Sequence, residues 1–121
     1  LENPNINPIV FEKETLTNLK MPSEIVMRHR IPQFGHIFSG DDYAAGYYGY
    51  LWADVISADA TEAFTEAKGG LYDKEVSKRL LDNVFSIGNT IDPEIAYKKY
   101  RGKAATSDAL MRARNFPIKK K

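Results

Sequence analysis

The stretch from Asp42 to Trp52, Asp-Tyr-Ala-Ala-Gly-Tyr-Tyr-Gly-Tyr-Leu-Trp, holds four of the chain's seven tyrosines and its only tryptophan. On a helix, Tyr43, Tyr47 and Tyr50 fall at i, i+4 and i+7 and share one face. That face continues through Asp54, Ser57 and Thr61, all polar, while Tyr48, Leu51, Trp52, Val55 and Ile56 form an apolar stripe on the opposite side. The pattern predicts a helix that buries one side and presents a row of phenol hydroxyls on the other. An aromatic core stripe is the ordinary reading of such a row, but the polar continuation favours an exposed cleft face. Phenols are large and apolar with one hydrogen-bonding tip, which suits the wall of a binding cleft.

The chain around this stretch has 121 residues, enough for one domain or for part of a larger one. Its 43% hydrophobic and 27% charged content is that of a globular protein. A net charge of +1 gives no bulk electrostatic case for a nucleic-acid or acidic-membrane partner. No cysteine is present, which excludes a disulfide framework, a thiolate metal site and a cysteine nucleophile. No apolar run approaches the roughly 20 residues of a membrane span. These features fit a cytoplasmic protein, with the periplasm as the alternative. The opening Leu-Glu-Asn-Pro-Asn-Ile-Asn-Pro carries neither an initiator Met nor a signal peptide and has the look of a cut end.

In chain order, residues 1–10 hold two prolines and three asparagines and are expected to be extended or irregular. Phe11, Thr15, Leu16 and Leu19 predict a short helix from Phe11 to Lys20, stopped by Pro22. Residues 23–38 have a mixed pattern punctuated by Pro32 and Gly35, and are expected to be mostly loop with room for a short strand. Ser39, Gly40, Asp41 and Asp42 supply N-cap candidates for the tyrosine helix, which should run to about Ala67 before Gly69-Gly70. Asp73 is the expected cap of the next helix, whose stripe is Val76, Leu80, Leu81, Val84 and Phe85, ended by Gly88-Asn89. Asp92-Pro93 is an N-cap followed by proline at the first helical position, with Gly102 as the stop. Thr106 or Ser107 should cap a last helix with Leu110, Met111 and Phe116, ended by Pro117, and the Lys119–Lys121 tail is expected to be mobile. The expected fold is all-α: a loop-rich segment over residues 1–38 with one short helix, then a helical segment over residues 39–121 with about four. So few helices make a thin core.

Candidate chemistry is sparse. His29 and His36 lie seven residues apart beside Arg28 and Arg30, and the carboxylate ligands of a His-Glu-x-x-His helix are absent. A hydrogen-bonding role for His36 is the better reading. No Gly-x-Ser-x-Gly elbow or phosphate-binding glycine loop occurs. Gly46 and Gly49 cost the helix about 1 kcal/mol each relative to Ala. They admit two readings equally, close approach by a neighbouring helix or room for a substrate backbone. Asp73, Glu75, Asp82, Asp92 and Glu94 fit caps and solvated faces.

Two blocks carry a family resemblance: Phe34-Gly35-His36-Ile37-Phe38, and Tyr43-Ala44-Ala45-Gly46-Tyr47-Tyr48-Gly49-Tyr50-Leu51-Trp52. Together they resemble the C-terminal active-site segment of the thimet-oligopeptidase and peptidyl-dipeptidase zinc metallopeptidases. The likeness extends through Asp59-Ala60, Phe64, Asp73–Val76, Gly88, Asp92-Pro93, Tyr100-Arg101-Gly102 and Asp108-Ala109-Leu110. Phe11-Glu12-Lys13 and Arg28-His29-Arg30 are most similar to the bacterial peptidyl-dipeptidase branch.

The resemblance implies a helical, two-lobed zincin-type enzyme with a channel between its halves, in which this chain is the C-terminal part. It implies zinc held by a His-Glu-x-x-His helix and a downstream Glu outside this sequence, with no metal ligand contributed here and no activity expected of the piece alone. Position by position, Tyr50 matches the donor to the scissile carbonyl as it becomes an oxyanion, and Tyr43 a second tyrosine reaching the transition state. Tyr47 matches a substrate contact, and His36 a histidine bonding the substrate backbone beside a glycine loop of which Gly35 and Gly40 remain. Ser39-Gly40-Asp41-Asp42 departs from that loop's shorter, glycine-rich pattern. The implied partners are a peptide substrate and the N-terminal part of the enzyme, with self-association of an exposed interlobe surface as a further expectation. The alternative from another class is a helical peptide-binding or interaction module without catalysis.

Overall fold

The computed structural model describes residues 5–118. They form five α-helices linked by short 3-10 turns, with no strand among the described residues. Two compact units divide them, one ending at Tyr47 and the other beginning at Tyr48.

The first unit contains α1, Pro8–Asn18. It starts three residues before the expected Phe11 because Asn7 caps it: the Asn7 side chain accepts from the N–H groups of Ile9 and Val10, at 3.0 and 3.3 Å. Pro8, read above as a sign of irregular chain, is instead the first helical residue, where its missing N–H costs nothing. Lys20 turns left-handed at φ 60°, and the Met21 N–H returns to the Leu16 carbonyl at 3.0 Å, closing the helix before Pro22. Residues 23–38 contain two 3-10 turns, Ile31–Gln33 and Gly35–Ile37, in place of the short strand allowed for.

The second unit is built on α2, Gly49–Glu66. Here the structure corrects the expected helix start: residues 42–48 form turns, and the helix begins only at Gly49. Two glycines within four residues remove much of the local preference for helix. The expected caps are not used either. Tyr48 occupies the N-cap with no side-chain hydrogen bond, and the Ser39 hydroxyl donates instead to the Gly35 carbonyl at 2.6 Å. Gly46 thus lies outside the helix, where a Cβ would meet the Asp42 carbonyl oxygen at 3.0 Å, whereas a Cβ on Gly49 would meet nothing within 4 Å.

Helix α3, Lys74–Leu80, is capped as expected by Asp73, which accepts from the N–H groups of Glu75 and Val76 at 3.0 Å. It widens over Leu81–Phe85 into a turn closed by the Ser86 N–H on the Leu81 carbonyl, 2.9 Å away. The wider turn breaks the 3.6-residue stripe, and Leu81 and Phe85 are exposed where a core position was expected. Helix α4, Pro93–Arg101, has Asp92 as its cap and left-handed Gly102, φ 79°, as its stop. Helix α5, Asp108–Ala113, begins after Ser107, whose side chain makes no capping bond. The mobility expected of Lys119–Lys121 lies outside the described residues.

The core of this unit gathers Ala63, Val76 and Tyr100, with Ala60, Phe64, Ala67, Leu80 and Tyr97 packed against them. Ala109 and Leu110 of α5 are also buried. This core engages the C-terminal half of α2. The apolar stripe predicted for its first turns, Tyr48, Leu51 and Trp52, is exposed, Trp52 at 63%.

Candidate functional site

In the first unit, the 3-10 turns and the turn segment that follows bring five rings together. Phe34 is the centre. His29 stacks on it at 5.0 Å between centroids, His36 tilts against it at 5.4 Å, and Tyr47 meets it edge-on at 4.6 Å. His36 lies 5.9 Å from Tyr43 and 5.7 Å from Tyr47, and the two tyrosines are 5.5 Å apart, all in edge-to-face geometry. Such pairs are worth about 0.5–1.5 kcal/mol each beyond their burial, which helps explain how turns rather than a helix hold Tyr43 and Tyr47 side by side. Beside the rings, a surface groove of about 460 Å³ is lined by Gly35, His36, Ser39, Gly40, Asp42 and Tyr43. The structure therefore brings together four residues singled out in the sequence, His36, Gly40, Tyr43 and Tyr47. Phe34 and His29 complete the cluster, and neither was chosen for a role. The signal available in the sequence was their alternation with His36 in His-Arg-Ile-Pro-Gln-Phe-Gly-His.

Tyr50 belongs to the second unit, in the first turn of α2, and is 58% exposed. The row that continues from it, Asp54, Ser57 and Thr61, is exposed throughout, as the polar pattern predicted. The opposite side of α2 carries a feature that sequence reading missed. Asp59 is 1% exposed and receives a 2.6 Å hydrogen bond from the Tyr97 hydroxyl. Arg101, its side chain 5% exposed, lies 3.3 Å from the Asp59 carboxylate and forks onto Glu66 with bonds of 2.6 and 2.8 Å. Arg112 forks likewise onto Glu62, both bonds 2.6 Å. Burial and the Asp59 bond push the Tyr97 phenol well above the ordinary tyrosine range. The bond to Glu66 raises the Arg101 guanidinium, and the same bond holds the Glu66 carboxyl below its usual range. No local motif announced this network, because its partners lie 35–50 residues apart.

Among the described residues, no three His, Asp or Glu side chains converge in a way that could hold a metal ion. No helix among them is long and apolar enough to cross a membrane.

Peptidase family M3 matches the chain over residues 6–116. Oligopeptidase A of Escherichia coli (strain K12) is 41% identical over 102 residues, covering 81% of this chain and 15% of that protein. Dipeptidyl carboxypeptidase of the same organism is 39% identical over 110 residues, 89% of this chain and 16% of the relative. Saccharolysin of Saccharomyces cerevisiae is 34% identical over 84 residues, 65% of this chain and 11% of the relative. The chain thus spans about one seventh of the length of the curated bacterial relatives it matches. With nearly every described residue inside the matched region, the chain belongs to peptidase family M3.

Proposed function

We propose that this chain is the C-terminal helical part, within residues 39–121 and the loop-rich segment before them, of a zinc-dependent peptidase that hydrolyses short peptides and releases C-terminal dipeptides. In this reading Tyr50 donates a hydrogen bond to the scissile carbonyl oxygen as negative charge gathers there. A donor that gains strength only in the transition state lowers the barrier without tightening the ground state. Tyr43 is the second donor at that carbonyl. His36 and Tyr47 hold the substrate backbone, and Gly35 and Gly40 let the intervening loop follow peptides of different shape.

The observation that carries this reading is Tyr50 on the exposed first turn of α2, opposite the buried Asp59 face, in a chain matched along its length by a peptidase family. The aromatic cluster of His36, Tyr43 and Tyr47 beside a groove adds support. In this reading zinc is held by other parts of the enzyme, and no step assigned to this chain passes through it. We infer the cytoplasm as its compartment, in keeping with the cysteine-free sequence.

Product analysis with the complete enzyme tests the dipeptide-releasing reading. Paired peptides with free and blocked C-termini are digested. Release of C-terminal dipeptides from the free peptide, with the blocked one resistant, is expected, and efficient internal cleavage of the blocked peptide would contradict it.

A further inference from the structure

Helix α4 grips α2 in a way that packing alone does not require. Two α4 side chains, Tyr100 and Arg101, donate to backbone carbonyl oxygens of α2, and a third, Tyr97, donates to the Asp59 carboxylate beside them. The Tyr97 hydroxyl lies 3.4 Å from the Ile56 carbonyl oxygen, Arg101 Nε donates to that of Asp59 at 2.9 Å, and the Tyr100 hydroxyl donates to that of Ala60 at 2.8 Å. Each carbonyl has a second lone pair to offer beyond its helical bond. The side chain of Asp59 closes the arrangement through Tyr97 and Arg101, and Lys103 Nζ stands 3.9 Å away.

Bonds to the backbone fix more than proximity. Apolar side chains permit a helix to rotate by repacking, but donors aimed at two specified carbonyls and one buried carboxylate set both its rotation and its axial register. Tyr50 precedes Asp59 by nine residues on the same helix, which is about two and a half turns. It therefore points away from α4, about 13 Å along the axis from the clamp. Between them α2 is continuous helix, a rigid lever.

We infer that Tyr97 and Arg101, acting through Asp59, are positioning residues that set the rotation of α2 and so aim the Tyr50 phenol. The inference rests on the role proposed for Tyr50. Loss of aim costs rate, since displacement of a reacting contact by about 1 Å can cost up to roughly a hundredfold.

The test is a double-mutant cycle in the complete peptidase, joined to a fluorine NMR readout at Trp52 of the same enzyme grown with fluorotryptophan. Tyr97→Phe and Arg101→Lys are each made with Tyr50 intact and with Tyr50→Phe, with folding at the assay temperature checked by circular dichroism. Arg101→Lys keeps the charge but loses the fork. The expected result is a kcat about tenfold lower with KM nearly unchanged when Tyr50 is present, and almost no effect in the Tyr50→Phe background. An equal loss in both backgrounds, or no loss where Tyr50→Phe itself is costly, overturns the inference. An unchanged kcat for Tyr50→Phe alone would instead refute the role of Tyr50. In that case Trp52, two residues beyond Tyr50 and assigned by the signal lost in Trp52→Phe, decides the positioning claim. Tyr97→Phe and Arg101→Lys should shift its fluorine signal at unchanged helical content, and a wild-type Trp52 signal in both variants would show that the clamp does not set this turn.

Discussion

The Tyr97 hydroxyl donates a 2.6 Å hydrogen bond to the carboxylate of Asp59, a side chain only 1% exposed. The bond joins α4 to the centre of α2 and belongs to a chain of charges running through Arg101 to Glu66. A buried carboxylate is costly unless it is paired and hydrogen-bonded. Asp59 has both kinds of partner, and among the described residues no buried side-chain polar atom lacks one.

Removing those partners one at a time should separate their contributions. Tyr97→Phe takes away a single hydroxyl and leaves Arg101 beside Asp59, so a loss of about 1.5 kcal/mol is expected. Asp59→Ala removes the buried carboxylate from both Tyr97 and the nearly buried Arg101, for which roughly 3 kcal/mol is expected. Urea denaturation of the chain measures both, provided the slope with denaturant stays that of the wild type.

Alkaline titration reads the same site from the other side. Burial raises the Tyr97 and Tyr100 phenols, and for Tyr97 the bond to Asp59 adds to it. A raised folded-state value contributes stability that is fully present below the unfolded value of 10 and is lost as pH climbs above it toward the folded value. Phenolate absorbance should therefore show late ionisation steps from Tyr97 and Tyr100, one of them missing in Tyr97→Phe. The absence of any late step in the folded protein would contradict this.

At acid pH the signs reverse. The hydrogen bond from Arg112 holds Glu62 below its ordinary 4.5, and that from Arg101 does the same for Glu66. Their contribution is present above 4.5 and disappears as pH falls through the depressed folded-state values. The melting temperature of the chain should decline below that point, and a Glu62→Gln, Glu66→Gln variant should decline less steeply. Parallel pH profiles for the variant and the wild type would exclude these two carboxylates as contributors.

Gly102 closes α4 at φ 79° with open space around its Cα, so only backbone conformation restricts what can stand there. Gly102→Ala should cost about 1–2 kcal/mol from left-handed strain. Gly49→Ala, at the uncrowded start of α2, should stay within about 0.5 kcal/mol of wild type. Thermal denaturation of both variants checks the contrast.

The features legible in the sequence were those whose cause is local. Asp73, Asp92-Pro93 and Gly102 mark helix ends through their own side chains or backbone freedom, and each sits where it was expected. The helix start was misread because periodicity reported Tyr43, Tyr47 and Tyr50 as one face, whereas two glycines and the pull of Phe34 and His36 hold the first two tyrosines in turns. Exposure of Trp52 and Leu51 could not be deduced from an apolar stripe, since a stripe says which side seeks cover and not whether a neighbour supplies it. The pairing of Asp59 was invisible for the opposite reason, because its partners Tyr97 and Arg101 are 38 and 42 residues away.

The proposed function turns on one hydroxyl. Steady-state kinetics of Tyr50→Phe in the complete peptidase tests it most directly, because the substitution removes a donor from an exposed ring with little change in shape. Loss of an oxyanion donor lowers kcat by about a hundredfold or more and leaves KM almost unchanged. An unchanged kcat would contradict the role assigned to Tyr50, and a rise in KM alone would reduce it to a substrate contact.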